Sequence, residues 1–211
     1  MANESESRLI LLLGGARSGK SAYGESLAAR LAGAAPVTYI ATATASDDEM
    51  RDRIARHRAS RPAHWLTIEE PLTPAIALRA NSSPVVLLDC VTLLVANLLL
   101  DSASEDDFAT ANFASESEAR VDRAIGDLLD AWRDHPATLI LISNEVGMGL
   151  VPPYPLGRVY RDCLGRVNAR LAADADIVLL MVAGLPIELK ALAAAWESQA
   201  ASRFGPRQVA R

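Results

Sequence analysis

The stretch Leu9-Ile10-Leu11-Leu12-Leu13-Gly14-Gly15-Ala16-Arg17-Ser18-Gly19-Lys20-Ser21 decides how the rest of the chain is read. The apolar run Leu9–Leu13 predicts a strand buried on both faces, and Ala22–Leu31 beyond it has the composition of a helix. Between them stands the pattern of a phosphate-binding loop, in the strand–loop–helix context that such a loop requires. Glycines let the backbone close around phosphate, so that several N–H groups converge on its oxygens. The helix N-terminus adds partial positive charge at the same spot. In that geometry Lys20 reaches the β- and γ-phosphates and the Ser21 hydroxyl ligates Mg²⁺. Gly14, Gly15, Ala16, Arg17, Ser18, Gly19, Lys20 and Ser21 are therefore expected to contact a nucleoside triphosphate, with Lys20 also catalytic.

Outward from this loop, short apolar runs alternate with longer amphipathic stretches. Further strands are expected at Val37–Ile40, Val85–Leu88, Thr138–Ser143 and Ile177–Val182. Pro36, Pro84 and Pro136 stand shortly before three of them, where a helix must already have stopped. The fold class implied is α/β, a P-loop NTPase with a mostly parallel sheet flanked by helices. Residues 1–190 read as one nucleotide-binding catalytic domain, and 191–211 as a C-terminal extension. In that extension Ala191–Ala201 is helical and Phe204–Arg211 is a frayed basic end. Asp101–Glu118 has six acidic and no basic residues, which predicts a solvated loop or the frayed start of a helix.

Composition narrows the function classes. A chain of 211 residues, 50% hydrophobic, suffices for one compact domain with a real core. A net charge of −5 offers no global field for nucleic acid or anionic membrane. No run approaches the roughly 18 apolar residues of a membrane span, and Met1–Ser7 lacks the features of a signal peptide. Cys90 and Cys163 lack metal-ligand spacing and read as buried thiols in a reducing cytoplasm.

A P-loop needs a second acid for its metal. Val85-Val86-Leu87-Leu88-Asp89 places an aspartate at the C-terminal end of an apolar strand, suited to hold Mg²⁺ with Ser21. The competing reading is a strand-end aspartate that caps the next helix. Glu145 is a weaker candidate at the same sheet edge, where ligands of open α/β sheets sit.

Ser46-Asp47-Asp48-Glu49 has the form of a capping box, and Met50, Ile54 and His57 then share one helix face. Arg51, Arg53, Arg56, Arg58 and Arg61 surround them. This is either a surface helix with solvated arginines, or a phosphate grip around a nucleophilic histidine kept neutral by neighbouring cations. Composition leaves both open.

An ordered set of further motifs chooses between them. Tyr39-Ile40-Ala41-Thr42-Ala43 is followed by Asp48-Glu49-Met50, Arg53-Ile54-x-x-His57-Arg58, Arg61-Pro62, Trp65 and Glu69-Glu70-Pro71. Then come Leu88-Asp89-Cys90-Val91-Thr92, Asn144-Glu145-Val146-Gly147-Met148-Gly149-Leu150-Val151-Pro152, Arg161-Asp162 and Gly165-x-x-Asn168. Over roughly residues 8–190 the chain resembles the bifunctional adenosylcobinamide kinase / adenosylcobinamide-phosphate guanylyltransferase family of cobalamin biosynthesis. The resemblance implies a RecA-like sheet and two reactions. ATP or GTP phosphorylates the aminopropanol hydroxyl of adenosylcobinamide, and GTP then gives GMP to that phosphate through a guanylylated histidine. It places that histidine at His57, with Ala41, Thr42, Ala43, Arg58, Arg61, Glu69 and Asp89 among the nucleotide contacts. It also implies a homo-oligomer, a trimer.

Arg56 stands where some members of the family carry a second histidine, and His64 is the alternative nucleophile. Two other functions remain distinguishable by experiment: a plain P-loop kinase for another small metabolite, and a GTP-binding regulatory module. The corrinoid and the preference for GTP rest on the resemblance alone.

Overall fold

The computed structural model describes residues 8–44, 48–59, 61–101 and 111–204. In chain order the elements are β1 (Leu9–Gly14), α1 (Lys20–Ala32), β2 (Val37–Ala41), α2 (Asp48–Ala59), β3 (Leu66–Glu69), α3 (Pro74–Arg79) and β4 (Val85–Asp89). They continue as α4 (Val91–Leu100), α5 (Ala111–Arg133), β5 (Thr138–Asn144), α6 (Pro155–Asp174), β6 (Ile177–Val182), β7 (Leu185–Glu188) and α7 (Leu189–Phe204).

The strands form one sheet in the order β3-β2-β4-β5-β1-β6-β7. Every pairing is parallel except the β6–β7 hairpin. The central strands are apolar throughout because helices cover both faces. Along β1 the side chains alternate between two cores: Leu9, Leu11 and Leu13 join one, Ile10 and Leu12 the other. The first core packs against α3, α4, α5 and α6; the second lies beneath α1. The α/β architecture expected from the sequence is the one observed, with β5 inserted between the P-loop strand β1 and the strand of Asp89.

Two strands go beyond the sequence expectation. β3 is a short edge strand of four residues, and its ends Leu66 and Glu69 are exposed, so it has no apolar run to announce it. β7 turns back on β6 through Ala183 (φ 52°) and Gly184 (φ 82°), a tight two-residue reversal with both central φ positive. An alanine in the left-handed region is not a turn signal in sequence. Of the acidic stretch, residues 111–118 belong to α5 and 102–110 lie outside the described residues. The Ser46-Asp47 part of the capping box and the basic end beyond Phe204 also lie outside them. The helical extension is observed as α7, which starts two residues before Ala191.

Candidate nucleotide and phosphoryl-transfer site

The parallel strands point their C-terminal ends at one edge, and the candidate residues gather there. β1 delivers the phosphate loop, β2 delivers Ala41-Thr42-Ala43, β3 ends at Glu69, β4 at Asp89 and β5 at Asn144. The loop bends sharply. Arg17 has φ 57°, Gly19 has φ 89°, and α1 begins at Lys20 directly afterwards. Gly14 has no room for a side chain: a Cβ there would lie 2.6 Å from Ser18 Oγ and 2.8 Å from the Met181 carbonyl oxygen. The β6–β7 hairpin props the loop, with Gly184 N–H donating to Ser18 O at 3.0 Å. Lys20 is buried, and its Nζ donates to Gly15 O across the loop at 3.2 Å. Ser18 Oγ is buried without a hydrogen-bond partner among the described residues.

Beside the loop lies a cavity of about 200 Å³ that reaches from Ser21 and Asp89 to Ile54, Arg58, Arg61 and Glu69. Ala41 and Ala43 also line it, whereas Thr42 sits beneath. The Thr42 hydroxyl is fully buried, donates to Cys90 O at 2.7 Å and accepts from Cys90 N–H at 2.8 Å. Thr42 therefore fastens the end of β2 to the start of α4; its hydroxyl is spent on backbone. The Asp89–Cys90 peptide in this junction is cis.

Asp89 does not stand alone. The Tyr39 hydroxyl donates to its Oδ2 at 2.8 Å, and Arg61 Cζ lies 3.2 Å from the Tyr39 ring centroid. Arg61 also faces Glu25 of α1 at 3.7 Å and Thr67 of β3 at 3.5 Å, and only 8% of its side chain is exposed. Arg61 is thus an embedded member of the wall, whereas Arg58 is exposed and pairs loosely with the exposed Glu69 at 3.7 Å. Burial first, and then the Asp89 carboxylate, keep the Tyr39 hydroxyl protonated far above the usual tyrosine range. The same two causes push the Cys90 thiol up to about 11.

His57 belongs to α2, directly before Arg58 and one turn after Ile54; its side chain lies outside the described residues. His64 is exposed in the turn after α2 and does not line the cavity. Glu145 spends Oε1 on the Gly147 N–H at 2.7 Å. Both cysteines are free and buried. Among the described residues no cluster of three or more His, Cys, Asp or Glu side chains could hold a metal. The hard oxygen pair Ser21 and Asp89 on one cavity still suits Mg²⁺, which takes one or two protein oxygens and fills its shell with phosphate and water.

Tyr39, Thr92, Asn144 and Asn168 stand in the sequence motifs, but nothing local to those motifs shows what they do. Their partners lie 24 to 52 residues away, so spacing carries no signal of them.

A phosphate loop, a carboxylate at the end of the next strand but one and an arginine-bearing helix around one cavity define a P-loop nucleotide-binding protein. Residues 10–189 match the family described as cobinamide kinase / cobinamide phosphate guanyltransferase, and the chain belongs to that family, which is one of transferases. It is 43% identical over 184 residues to the bifunctional adenosylcobalamin biosynthesis protein CobU of Escherichia coli strain K12, covering 86% of this chain and 99% of that one. It is 46% identical over 182 residues to the bifunctional adenosylcobalamin biosynthesis protein CobP of Pseudomonas aeruginosa, covering 85% and 96%. Among solved structures, it is similar to the flagellar accessory protein FlaH from Methanocaldococcus jannaschii, with 16% identity and a TM-score of 0.40. That similarity covers 82% of this chain and 70% of that one.

Proposed function

We propose that the chain carries out both reactions of its family on adenosylcobinamide. In the first, the aminopropanol hydroxyl oxygen attacks the γ-phosphorus of ATP or GTP. The bond from that phosphorus to the β,γ-bridging oxygen breaks, the nucleoside diphosphate leaves with the electron pair, and the hydroxyl proton passes to water. In the second, a neutral His57 imidazole attacks the α-phosphorus of GTP and pyrophosphate departs. A phosphate oxygen of adenosylcobinamide phosphate then displaces His57, giving adenosylcobinamide-GDP. The covalent intermediate divides one difficult displacement into two in-line steps.

The observation that carries this reading is the shared cavity. Ser21 and Asp89 line it together with Ile54 and Arg58, so the triphosphate end and the helix that contains His57 open onto one space. Lys20 and the loop N–H groups hold the phosphates, while Ser21 and Asp89 hold Mg²⁺, which when bound neutralises charge on the phosphate oxygens. Arg58 and Glu69 border the nucleotide, and Arg61 acts from the wall. Ala41 and Ala43 leave room beside them because neither extends beyond a methyl group.

The catalytic unit is the domain 1–190, and the family match ending at residue 189 supports setting 191–211 apart from the chemistry. The chain works in the cytoplasm as a homo-oligomer, a trimer. Exposed Val182, Leu185, Leu192 and Trp196 around β7 and α7 favour assembly. No helix among the described residues is long and apolar enough to cross a membrane.

The test is incubation with Mg²⁺ and α-labelled GTP, followed by denaturation. An acid-labile, alkali-stable label that His57→Ala abolishes is the expected result. A label surviving in that variant moves the nucleophile to His64 or elsewhere. No label despite bound GTP leaves a plain kinase.

A further inference from the structure

We propose that Asn144 is a catalytic residue of the phosphoryl-transfer step, its side-chain amide contacting both the γ-phosphoryl group and the attacking hydroxyl. The inference rests on the function proposed above and adds a residue to which neither the motif reading nor the family comparison gives a role.

Register puts Asn144 at the centre of the site. It is the last residue of β5, and its Cα pairs with Gly14, where the phosphate loop begins. On the other side of β5, Asp89 pairs with Ile142, two residues earlier. Asn144 therefore stands on the strand between the loop and the metal-side carboxylate, two residues further toward the open edge. Alternation gives it the face of Ile142, which packs under Gly24 of α1. That is the face of the cavity, and Asn144 lines it together with Ser21 and Asp89.

Its backbone is fixed from both sides. The Asn144 N–H donates to Thr92 Oγ1 at 2.7 Å, and its carbonyl accepts from Asn168 Nδ2 at 2.9 Å. Asn168, itself buried, is held by the Ser143 hydroxyl, which donates to its Oδ1 at 2.7 Å. Two helices, α4 and α6, thus clamp a single residue of β5, and Thr92 and Asn168 are its positioning residues.

The side chain is the exception in this saturated frame. Asn144 Oδ1 is buried and has no hydrogen-bond partner among the described residues. A buried carbonyl oxygen without a donor is costly, and such exceptions concentrate where a ligand completes the bonding. An amide has the required complement: Nδ2 donates to a γ-phosphoryl oxygen, while Oδ1 accepts from the attacking O–H. Contacts of this kind tighten as charge spreads over the transferred group, and a pre-fixed frame supplies them without reorganisation. Asn144 exchanges no proton. The acceptor oxygen forms its bond to the γ-phosphorus, the β,γ-bridge breaks with its electrons going to the nucleoside diphosphate, and the proton goes to water.

The test compares wild type with Asn144→Ala and Asn144→Asp for γ-phosphoryl transfer to cobinamide and, without cobinamide, to water. Asn144→Ala removes an oxygen that has no hydrogen-bond partner among the described residues, so that variant is expected to melt no lower than wild type. We expect kcat to fall by about 100-fold in Asn144→Ala with nucleotide Kd within about threefold. Asn144→Asp, which keeps the shape, loses the donor and adds negative charge, should fall at least as far. Wild-type kcat in Asn144→Ala with both acceptors overturns the inference, as does a loss of melting temperature and nucleotide affinity in parallel with kcat. Wild-type transfer to water alone, with the variants impaired, supports the role of Asn144 and overturns cobinamide as acceptor. Transfer by wild type to neither acceptor overturns both.

Discussion

The Tyr39 hydroxyl donates a 2.8 Å hydrogen bond to Asp89 Oδ2, which ties the second strand of the sheet to the carboxylate that closes the phosphate site. With the Arg61 guanidinium stacked on its ring, Tyr39 fixes where the Asp89 carboxylate can point. Hydrogen bonds to a charged group contribute about 1.5–3 kcal/mol. Tyr39→Phe should therefore lower unfolding free energy by an amount in that range. It should also raise the Mg²⁺ concentration for half-maximal kinase activity several-fold. Urea melts and an Mg²⁺ titration check the two halves separately; an unchanged Mg²⁺ requirement would leave Tyr39 a packing residue.

Lys20 is buried and reaches across the loop to Gly15 O, so its charge is held inside the turn that must wrap the phosphates. Lys20→Ala is expected to reduce kcat/KM of both phosphoryl and guanylyl transfer by about 100-fold or more, the scale for losing one transition-state donor. Steady-state assays of each half-reaction measure this. Full kinase activity in the variant would contradict it.

Gly14 and Gly15 are neighbours with opposite tolerances. A Cβ on Gly14 would collide with Ser18 Oγ and the Met181 carbonyl, the latter being backbone that cannot step aside, whereas a Cβ on Gly15 meets nothing within 4 Å. Gly14→Ala should cost about 1–3 kcal/mol of stability through overpacking and weaken nucleotide binding. Gly15→Ala should leave stability within about 0.5 kcal/mol. Thermal melts and nucleotide titrations of the pair decide the matter.

The proposed function gives His57 a part in guanylyl transfer only. His57→Ala is expected to abolish formation of adenosylcobinamide-GDP while retaining phosphorylation of cobinamide within about tenfold, because the γ-phosphoryl step does not pass through a histidine. Separate product analysis by chromatography checks it. Guanylyl transfer at the wild-type rate would exclude the covalent role.

Stability should decline in alkali. The Cys90 thiol, raised from 9.0 to about 11 by burial and by Asp89, stays protonated in the fold after it would ionise in the unfolded chain. Tyr160, raised to about 12 by burial first, moves in the same direction. A raised folded pKa means stability fully present below the unfolded value and lost as pH climbs through the folded one. For Cys90 that window runs from pH 9 to about 11 and is worth about 3 kcal/mol. Urea midpoints at pH 7, 9 and 10.5 should fall over the last interval, and less so in Cys90→Ala. A flat profile would show that Cys90 is not shielded.

How far the sequence was legible depended on the reach of each interaction. The phosphate loop and the five longer strands are local facts. An apolar run buried on both faces, then glycines, a lysine and a helix start, can be read within a dozen residues because backbone sterics and burial act at short range. Asp89 was legible for the same reason, as the polar end of an apolar strand. The edge strand β3 was too short to show a pattern, and β7 is defined by its partner β6 and by an alanine at positive φ. Tyr39 against Asp89, Arg61 inside the wall, Thr42 spent on Cys90 and Asn168 clamping Asn144 join residues brought together only when the strands align. The sequence by itself determined which chemistry-bearing residues end up at the C-terminal edge of a parallel sheet. Only the tertiary structure decided which of them face the cavity and which hold the others in place, because a side chain's partners across a sheet are set by register and packing.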